Sequence, residues 1–249
     1  MDLHAYRELE SEKARLADLL RILPPGRTSV LDVGARDAHF SRHLAGRYQR
    51  VIALDLTARP FELSGVSAVI GDVGRLPFQN KSFDCVFCAE VLEHLVAVEQ
   101  ACSEIARVAL RDIVVGVPYK QDLRMGGTTC RTCGGTNPPW GHLSTFDEHR
   151  LVRLFPGWKV SCTSFVLSNN EATTSLAAAL MNAAGNPWGT YCQNELCLYC
   201  GAKLVPSRRP ASVWPRICSG LAGRMNLIQR ALTRSHANWL HMVFSKPSD

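Results

Sequence analysis

The chain has 249 residues, 46% of them apolar and 20% charged, with a formal net charge of +6. That apolar share supports a complete core, as one large α/β domain or as a domain with a small accessory module. Thirteen prolines and eighteen glycines, spread without a repeat, exclude fibrous and disordered classes.

The first residues, MDLHAYRELESEKARLADLLRIL, set charges among aliphatics at helical spacing and predict an amphipathic helix over 4–22, ended by Pro24-Pro25-Gly26. They do not form a basic leader with an apolar core, and no apolar run of about 18 residues follows anywhere, so a soluble cytoplasmic protein without a transmembrane segment is expected. SVLDVG at 29–34 is short, apolar and β-branched before a turn, the pattern of a buried parallel strand. HFSRHLAGRY then predicts a helix, VIALDLT at 51–57 a second strand and AVIGD at 68–72 a third. FDCVFCAEVL at 83–92 starts as a fourth strand and turns helical around Glu90, 97–108 continues as helix, and DIVVGVPY at 112–119 is the fifth strand. TFDEHRLVRLF at 145–155 opens on Thr145 with Glu148 three residues later, a capping-box spacing, and GWKVSCTSFVLS gives a further strand. This alternation predicts a doubly wound α/β sheet with ligand loops at the carboxyl ends of its strands.

Two stretches break the pattern. Residues 120–141 are rich in Gly, Thr, Pro and Cys without a period, a loop that holds a shape only if something pins it. Residues 171–191 start as a helix and stop at Gly185-Asn186-Pro187. Beyond them, helical spacing over 217–234 would let Trp214, Leu221, Met225, Ile228 and Leu232 cover the main fold. From Lys203 onward eight Lys or Arg face only Asp249, so the basic character belongs to this tail and the rest of the chain sums to about −1. Such a tail suits an anionic partner, whether nucleic acid, lipid or phosphorylated substrate, or a plain solvated helix face.

The sharpest signal is VLDVGARDAHFS at 30–41, followed by LDL at 54–56, GDV at 71–73 and FDCVFCAEVLEHL at 83–95. A glycine turn after a strand lets the backbone approach an extended ligand, and an acid after the second strand accepts from ribose hydroxyls. On these features alone a dinucleotide enzyme remains open, since the second acid lies about 21 residues after Gly34. In their ordered combination, however, the segments resemble the cofactor motifs of class I S-adenosylmethionine-dependent methyltransferases over residues 27–168, with GHLSTFDEHRLVRLFPGW similar to the late segment of the small-molecule type. The resemblance implies a Rossmann-like class I sheet that binds S-adenosyl-L-methionine. It implies that Asp32 and Gly34 organise the turn at the methionine portion, that Asp55 beside Leu56 holds the ribose, that Asp72 and Val73 lie at adenine, and that Ala89 and Glu90 lie near the methionine end. The sequence departs from the family's alternate glycines at Arg36 and Ala38, so the turn must tolerate Cβ atoms there.

Of ten cysteines, Cys85, Cys88, Cys102, Cys162, Cys192 and Cys218 are scattered, whereas Cys130-Arg-Thr-Cys133-Gly134 and Cys197-Leu-Tyr-Cys200-Gly201 are matching knuckles. Four thiolates in two CxxCG units point to a closed, structural Zn²⁺ site that clamps the 120–141 insertion, with a redox CxxC as the other reading and Cys192 or His142 as substitutes for one ligand.

Methyl transfer to an alcohol benefits from a base, and His142 and His94 are the two candidates; Tyr119 and Trp140 are candidate walls of an acceptor pocket. The expected organisation is an N-terminal helix (1–25), a methyltransferase core (26–170), an insertion with the second knuckle (171–205) and a basic helical C-terminal extension (206–249). The expected activity is methylation of a polar small molecule at oxygen. Two other readings stay open: an RNA or other nucleic-acid methyltransferase, and a non-catalytic zinc-stabilised interaction protein. Asn137-Pro138-Pro139-Trp140 resembles an amino-group methylation motif but follows the fifth strand rather than the fourth, and carries no catalytic assignment.

Overall fold

A computed structural model describes residues 3–57, 63–190, 196–206 and 212–247. In chain order the elements are α1 (Leu3–Arg7), α2 (Glu10–Arg21), β1 (Ser29–Val33), α3 (His39–Leu44), β2 (Arg50–Asp55), β3 (Val66–Ile70), β4 (Phe83–Ala89), α4 (Val98–Val108) and β5 (Ala109–Pro118). They continue with β6 (Thr128–Thr129), β7 (Thr136–Asn137), α5 (Glu148–Leu154), β8 (Lys159–Val166), α6 (Ser175–Ala183), α7 (Val213–Leu232) and β9 (Trp239–Ser245). The chain divides into two compact units: Arg7–Tyr119, Phe146–Leu167 and Ala237–Asp249 form one, and Met1–Tyr6, Lys120–Thr145 and Ser168–His236 form the other.

The first unit is a seven-stranded sheet ordered β3-β2-β1-β4-β5-β9-β8. The strands from β3 to β5 run parallel, and β9 is antiparallel to both of its neighbours. Both faces of the central strands are covered, which is why β1, β4 and β5 read as near-continuous apolar runs. Successive residues feed opposite faces. Leu31, Val86, Val115 and Phe244 join α4 and α5 in one core through Ala101, Ile105 and Leu151. Val30, Phe87, Val114 and Val243 join α2 and α3 in the other through Leu19, Phe40 and Leu44.

Several local expectations change. The first helix is interrupted: Leu9 is extended, and its carbonyl accepts from the N–H groups of Glu12 and Lys13, so α2 starts afresh there. The cap of α5 is Asp147, whose side chain accepts from Arg150 N, two residues beyond Thr145. The largest difference is at the C-terminus. Residues 239–245 are no appended tail but strand β9, hydrogen-bonded between β5 and β8 with Leu240 to Phe244 buried. Its His241 is fully buried with Nδ1 2.7 Å from Asp18, and burial holds the imidazole down at about pKa 4.

The second unit has little regular sheet. It holds the β6–β7 hairpin and the α6–α7 pair. An antiparallel bridge between Asn169 and His236, bonded in both directions at 2.8 Å, brings the ends of its longest segment together. Of the five apolar side chains expected to be covered, Trp214, Leu221, Ile228 and Leu232 are exposed and Met225 is half-buried, while α7 buries Cys218, Ser219 and Ala222.

Candidate cofactor edge and metal centre

The carboxyl ends of β1, β2, β3 and β4 gather most of the expected cofactor residues. Gly34 follows β1 with φ +72°, and a Cβ at this position would clash with Val91 Cγ2. Both backbone sign and space therefore demand glycine. Arg36 and Ala38, which stand where the family repeats glycine, keep the same left-handed backbone with φ of 50° and 58°. The turn keeps its glycine-type path while carrying two Cβ atoms, at roughly 1 to 2 kcal/mol per residue.

Asp55 ends β2. Its Oδ2 accepts from Arg36 N at 2.9 Å, and its Oδ1 accepts from Thr57 N at 3.1 Å and Thr57 Oγ1 at 3.2 Å, which aims the carboxylate across the loop after β1. The carbonyl of Asp55 accepts from Gly71 N, so the ends of β2 and β3 are tied side by side, with Leu56 exposed next to them. Asp72 Oδ1 accepts from Gly74 N at 2.8 Å and closes a turn that buries Val73.

Asp32 points the other way. It is buried and accepts from Ser41 Oγ, tying β1 to α3, and its burial pushes the carboxyl up to about 7. Its contribution to the turn is thus through the backbone of β1. Ala89 is buried at the end of β4, and Glu90 beyond it adopts φ +62°, with its N–H donating to Gly116 O. Left-handed backbone on a non-glycine residue is costly and concentrates at functional sites.

Glu90 Oε2 lies 2.8 Å from Arg15 Nη1, and Arg15 also pairs with Glu12. Burial drives Glu90 up to about 7 against the opposing Arg15 charge, and Glu93, wholly buried nearby, is raised well above the ordinary carboxylate range by burial and by the charge of Glu90. Sequence reasoning missed Glu12 and Arg15. The signal was there: both charges lie three residues apart on the face of α2 that also buries Leu19. Arg15 is held between the rings of Phe40 and Trp239, 5.6 and 4.8 Å from their centroids.

Of the two candidate bases, His94 is exposed in a short 3₁₀ turn, Leu92–His94, of the sheet unit. His142 belongs to the second unit, where it is buried with Nδ1 2.5 Å from Gln121 Oε1. Of the candidate pocket walls, Tyr119 OH donates to Glu148 at 3.2 Å and its ring packs edge-on against Phe165, whereas Trp140 is half exposed.

The two knuckles meet within the second unit. Cys130 Sγ is 3.7 Å from Cys200 Sγ, Cys133 Sγ is 3.6 Å from Cys197 Sγ, and all four sulfurs lie within 4.8 Å of one another. A disulfide is about 2.05 Å long, whereas four thiolates about 2.3 Å from a tetrahedral zinc stand about 3.8 Å apart. The donor set therefore fits Zn²⁺ with no open position. Gly134 and Gly201 end the knuckles with φ of 74° and 69°, their N–H groups donating to Cys130 O and Cys197 O. Asn137 joins the halves: its Nδ2 donates to Gly135 O at 3.2 Å and to Cys197 Sγ at 3.5 Å, and its Oδ1 accepts from Leu198 N at 2.9 Å. Against the desolvation of burial, Asn137 and the backbone N–H groups of Tyr199 and Cys200 hold the Cys197 thiol down at about 6. None of the four needs a substitute: His142 is outside the cluster, and Cys192 lies outside the described residues.

A sheet in this order with one antiparallel strand, a glycine turn after β1 and a carboxylate after β2 defines the class I methyltransferase fold. Residues 31–112 match the family described as a methyltransferase domain, and the chain carries a class I S-adenosylmethionine-dependent methyltransferase domain. It is 36% identical over 180 residues to the biotin biosynthesis bifunctional protein BioHC of Cellvibrio japonicus, covering 69% of this chain and 31% of that protein. It is 27% identical over 141 residues to malonyl-[acyl-carrier protein] O-methyltransferase 1 of Coxiella burnetii, covering 55% of this chain and 44% of that one. The chain thus spans less than half the length of these curated relatives. Its fold is similar to the Burkholderia thailandensis 1,6-didemethyltoxoflavin-N1-methyltransferase, solved with 1,6-didemethyltoxoflavin and S-adenosylhomocysteine, at a TM-score of 0.55 and 15% identity over 98% of this chain and 84% of that one.

Proposed function

We propose that the chain transfers a methyl group from S-adenosyl-L-methionine to a polar small molecule, at oxygen. The observation that carries this reading is the turn after β1: Gly34, Arg36 and Ala38 keep a left-handed backbone, and the Arg36 N–H donates to Asp55, the carboxylate that would serve a ribose there. Bound there, S-adenosyl-L-methionine supplies an electrophilic methyl on a sulfonium centre. Asp55, with Leu56 beside it, would accept from the ribose hydroxyls, and Asp72 with Val73 would hold the adenine. Asp32 fixes β1 beneath the turn, and Ala89 and Glu90 bound the methionine end, with Arg15 positioning Glu90. The acceptor proton goes to an imidazole, His142 or His94. For His142, an Nδ1–H donated to Gln121 leaves Nε2 as the basic nitrogen. Cys130, Cys133, Cys197 and Cys200 hold a structural zinc and take no part in the transfer.

The test is methyl transfer from labelled cofactor into fractionated native extract by zinc-loaded protein. Label in a polar small-molecule fraction that Asp55→Ala abolishes is the expected outcome, together with at least about tenfold weaker S-adenosylhomocysteine binding by that variant in calorimetry. Label in RNA or lipid instead, or no binding by the wild type, overturns the reading. With an acceptor in hand, substituting the true base by Gln lowers kcat by about 10² to 10⁴ and leaves cofactor affinity unchanged.

A further inference from the structure

Helix α7 presents an apolar stripe that nothing in the described chain covers. Val213, Trp214, Ile217, Leu221, Ile228 and Leu232 are all exposed, Trp214 at 68% and Leu232 at 77%. At helical spacing the six fall within an arc of about 100° on the side opposite buried Ala222. An apolar stripe of this size on the outside of a chain, interrupted only by Arg224, marks a contact surface rather than ordinary scatter.

Charge identifies the partner. Between Val213 and Leu232 there is no Asp or Glu, while Arg216, Arg224 and Arg230 lie on the helix and Arg234 follows it. Arg230 pairs with Glu171, whereas Arg224 is exposed within the apolar arc and Arg234 is exposed just past the helix end. A second copy of the chain docking on this stripe would set these arginines against their own kind. A surface that offers hydrocarbon beneath a layer of phosphates meets both halves of the pattern at once, with the Trp214 indole at the boundary. The helix is not long and apolar enough to cross a bilayer, so it lies in the surface instead.

We propose that α7 docks the protein on an anionic lipid bilayer, its apolar stripe in the headgroup and upper acyl region and its arginines on lipid phosphates. The test is co-sedimentation of the full chain with vesicles of phosphatidylcholine alone and of phosphatidylcholine with phosphatidylglycerol. Partitioning at least about tenfold stronger on the anionic vesicles, weakening with salt, is expected. Ile217→Asp with Ile228→Asp cuts it by about tenfold or more, and Arg224→Gln with Arg234→Gln removes most of the anionic preference. All four positions are exposed, so far-UV circular dichroism and S-adenosylhomocysteine binding stay unchanged. Absence of binding to anionic vesicles, equal binding by the wild type and the double Asp variant, or self-association in solution that the double Asp variant dissolves overturns the proposal.

Discussion

Gly34 carries two constraints at once, a left-handed backbone and a Cα pressed toward Val91. Gly34→Ala is expected to cost about 1 to 3 kcal/mol in urea unfolding and to abolish S-adenosylhomocysteine binding, and adding Val91→Ala should recover part of the stability because it removes the atom the new Cβ meets. The neighbouring departure has the opposite sign: Arg36→Gly relieves a left-handed Cβ and is expected to raise the unfolding free energy by about 1 kcal/mol. Asp32 gives a pH signature. Its folded value, about 7, lies above the ordinary 3.8, so folding favours the protonated form. That contribution is full below about pH 4 and is lost as pH rises toward 7. Asp32→Asn keeps an acceptor for Ser41 and has no charge to bury, so its stability relative to wild type should climb between about pH 4 and pH 7 in urea titrations and level off above that; a constant gap would contradict the buried carboxyl. The importance of Gly34 was legible because a strand followed by glycine has few alternatives, whereas Asp32 and Asp55 look alike in sequence and differ only in which way the strand points them.

At the scale of elements, the parallel strands were readable because burial on both faces leaves little but apolar residues in β1, β4 and β5. Strand β9 was not. WLHMVFS follows a basic stretch and contains a histidine, and only its pairing with Asp18 makes that histidine a core residue. Helical spacing of apolar residues made α7 read as a covering helix, although periodicity reports that a helix has an apolar face and not what the face meets. The two tail elements should therefore respond differently to substitution. Phe244→Ala, deep in the sheet against Phe155, is expected to cost about 3 to 5 kcal/mol, and Ile228→Asp on α7 less than about 0.5 kcal/mol, both by urea unfolding. The knuckles were legible from spacing alone, because two CxxCG units admit few other chemistries, but Asn137 as their common clasp needed the fold. Chelation should release one zinc per chain and raise amide exchange over 128–137 and 196–204 while β1, β4 and β5 stay protected; equal exchange with and without metal would remove zinc from the account.

Across the whole molecule, the sheet recruits its sixth position from the far end of the sequence. Strand β8 is complete at Val166, yet the partner that joins it to β5 does not begin until Trp239, with the longest segment of the second unit in between. During synthesis on a ribosome the first five strands and β8 therefore emerge well before the strand that unites them, and at roughly 5 to 20 residues per second the interval lasts several seconds. Throughout it the open edges of β5 and β8 expose unpaired N–H and C=O groups to any other nascent chain. The Asn169–His236 bridge closes the intervening segment just before β9 is made, so that β9 starts three residues after Asn169's partner His236. Yield of this protein in a cell should thus depend on how quickly residues 168–236 can be translated and folded, and slow codons there should lower it without changing a single side chain.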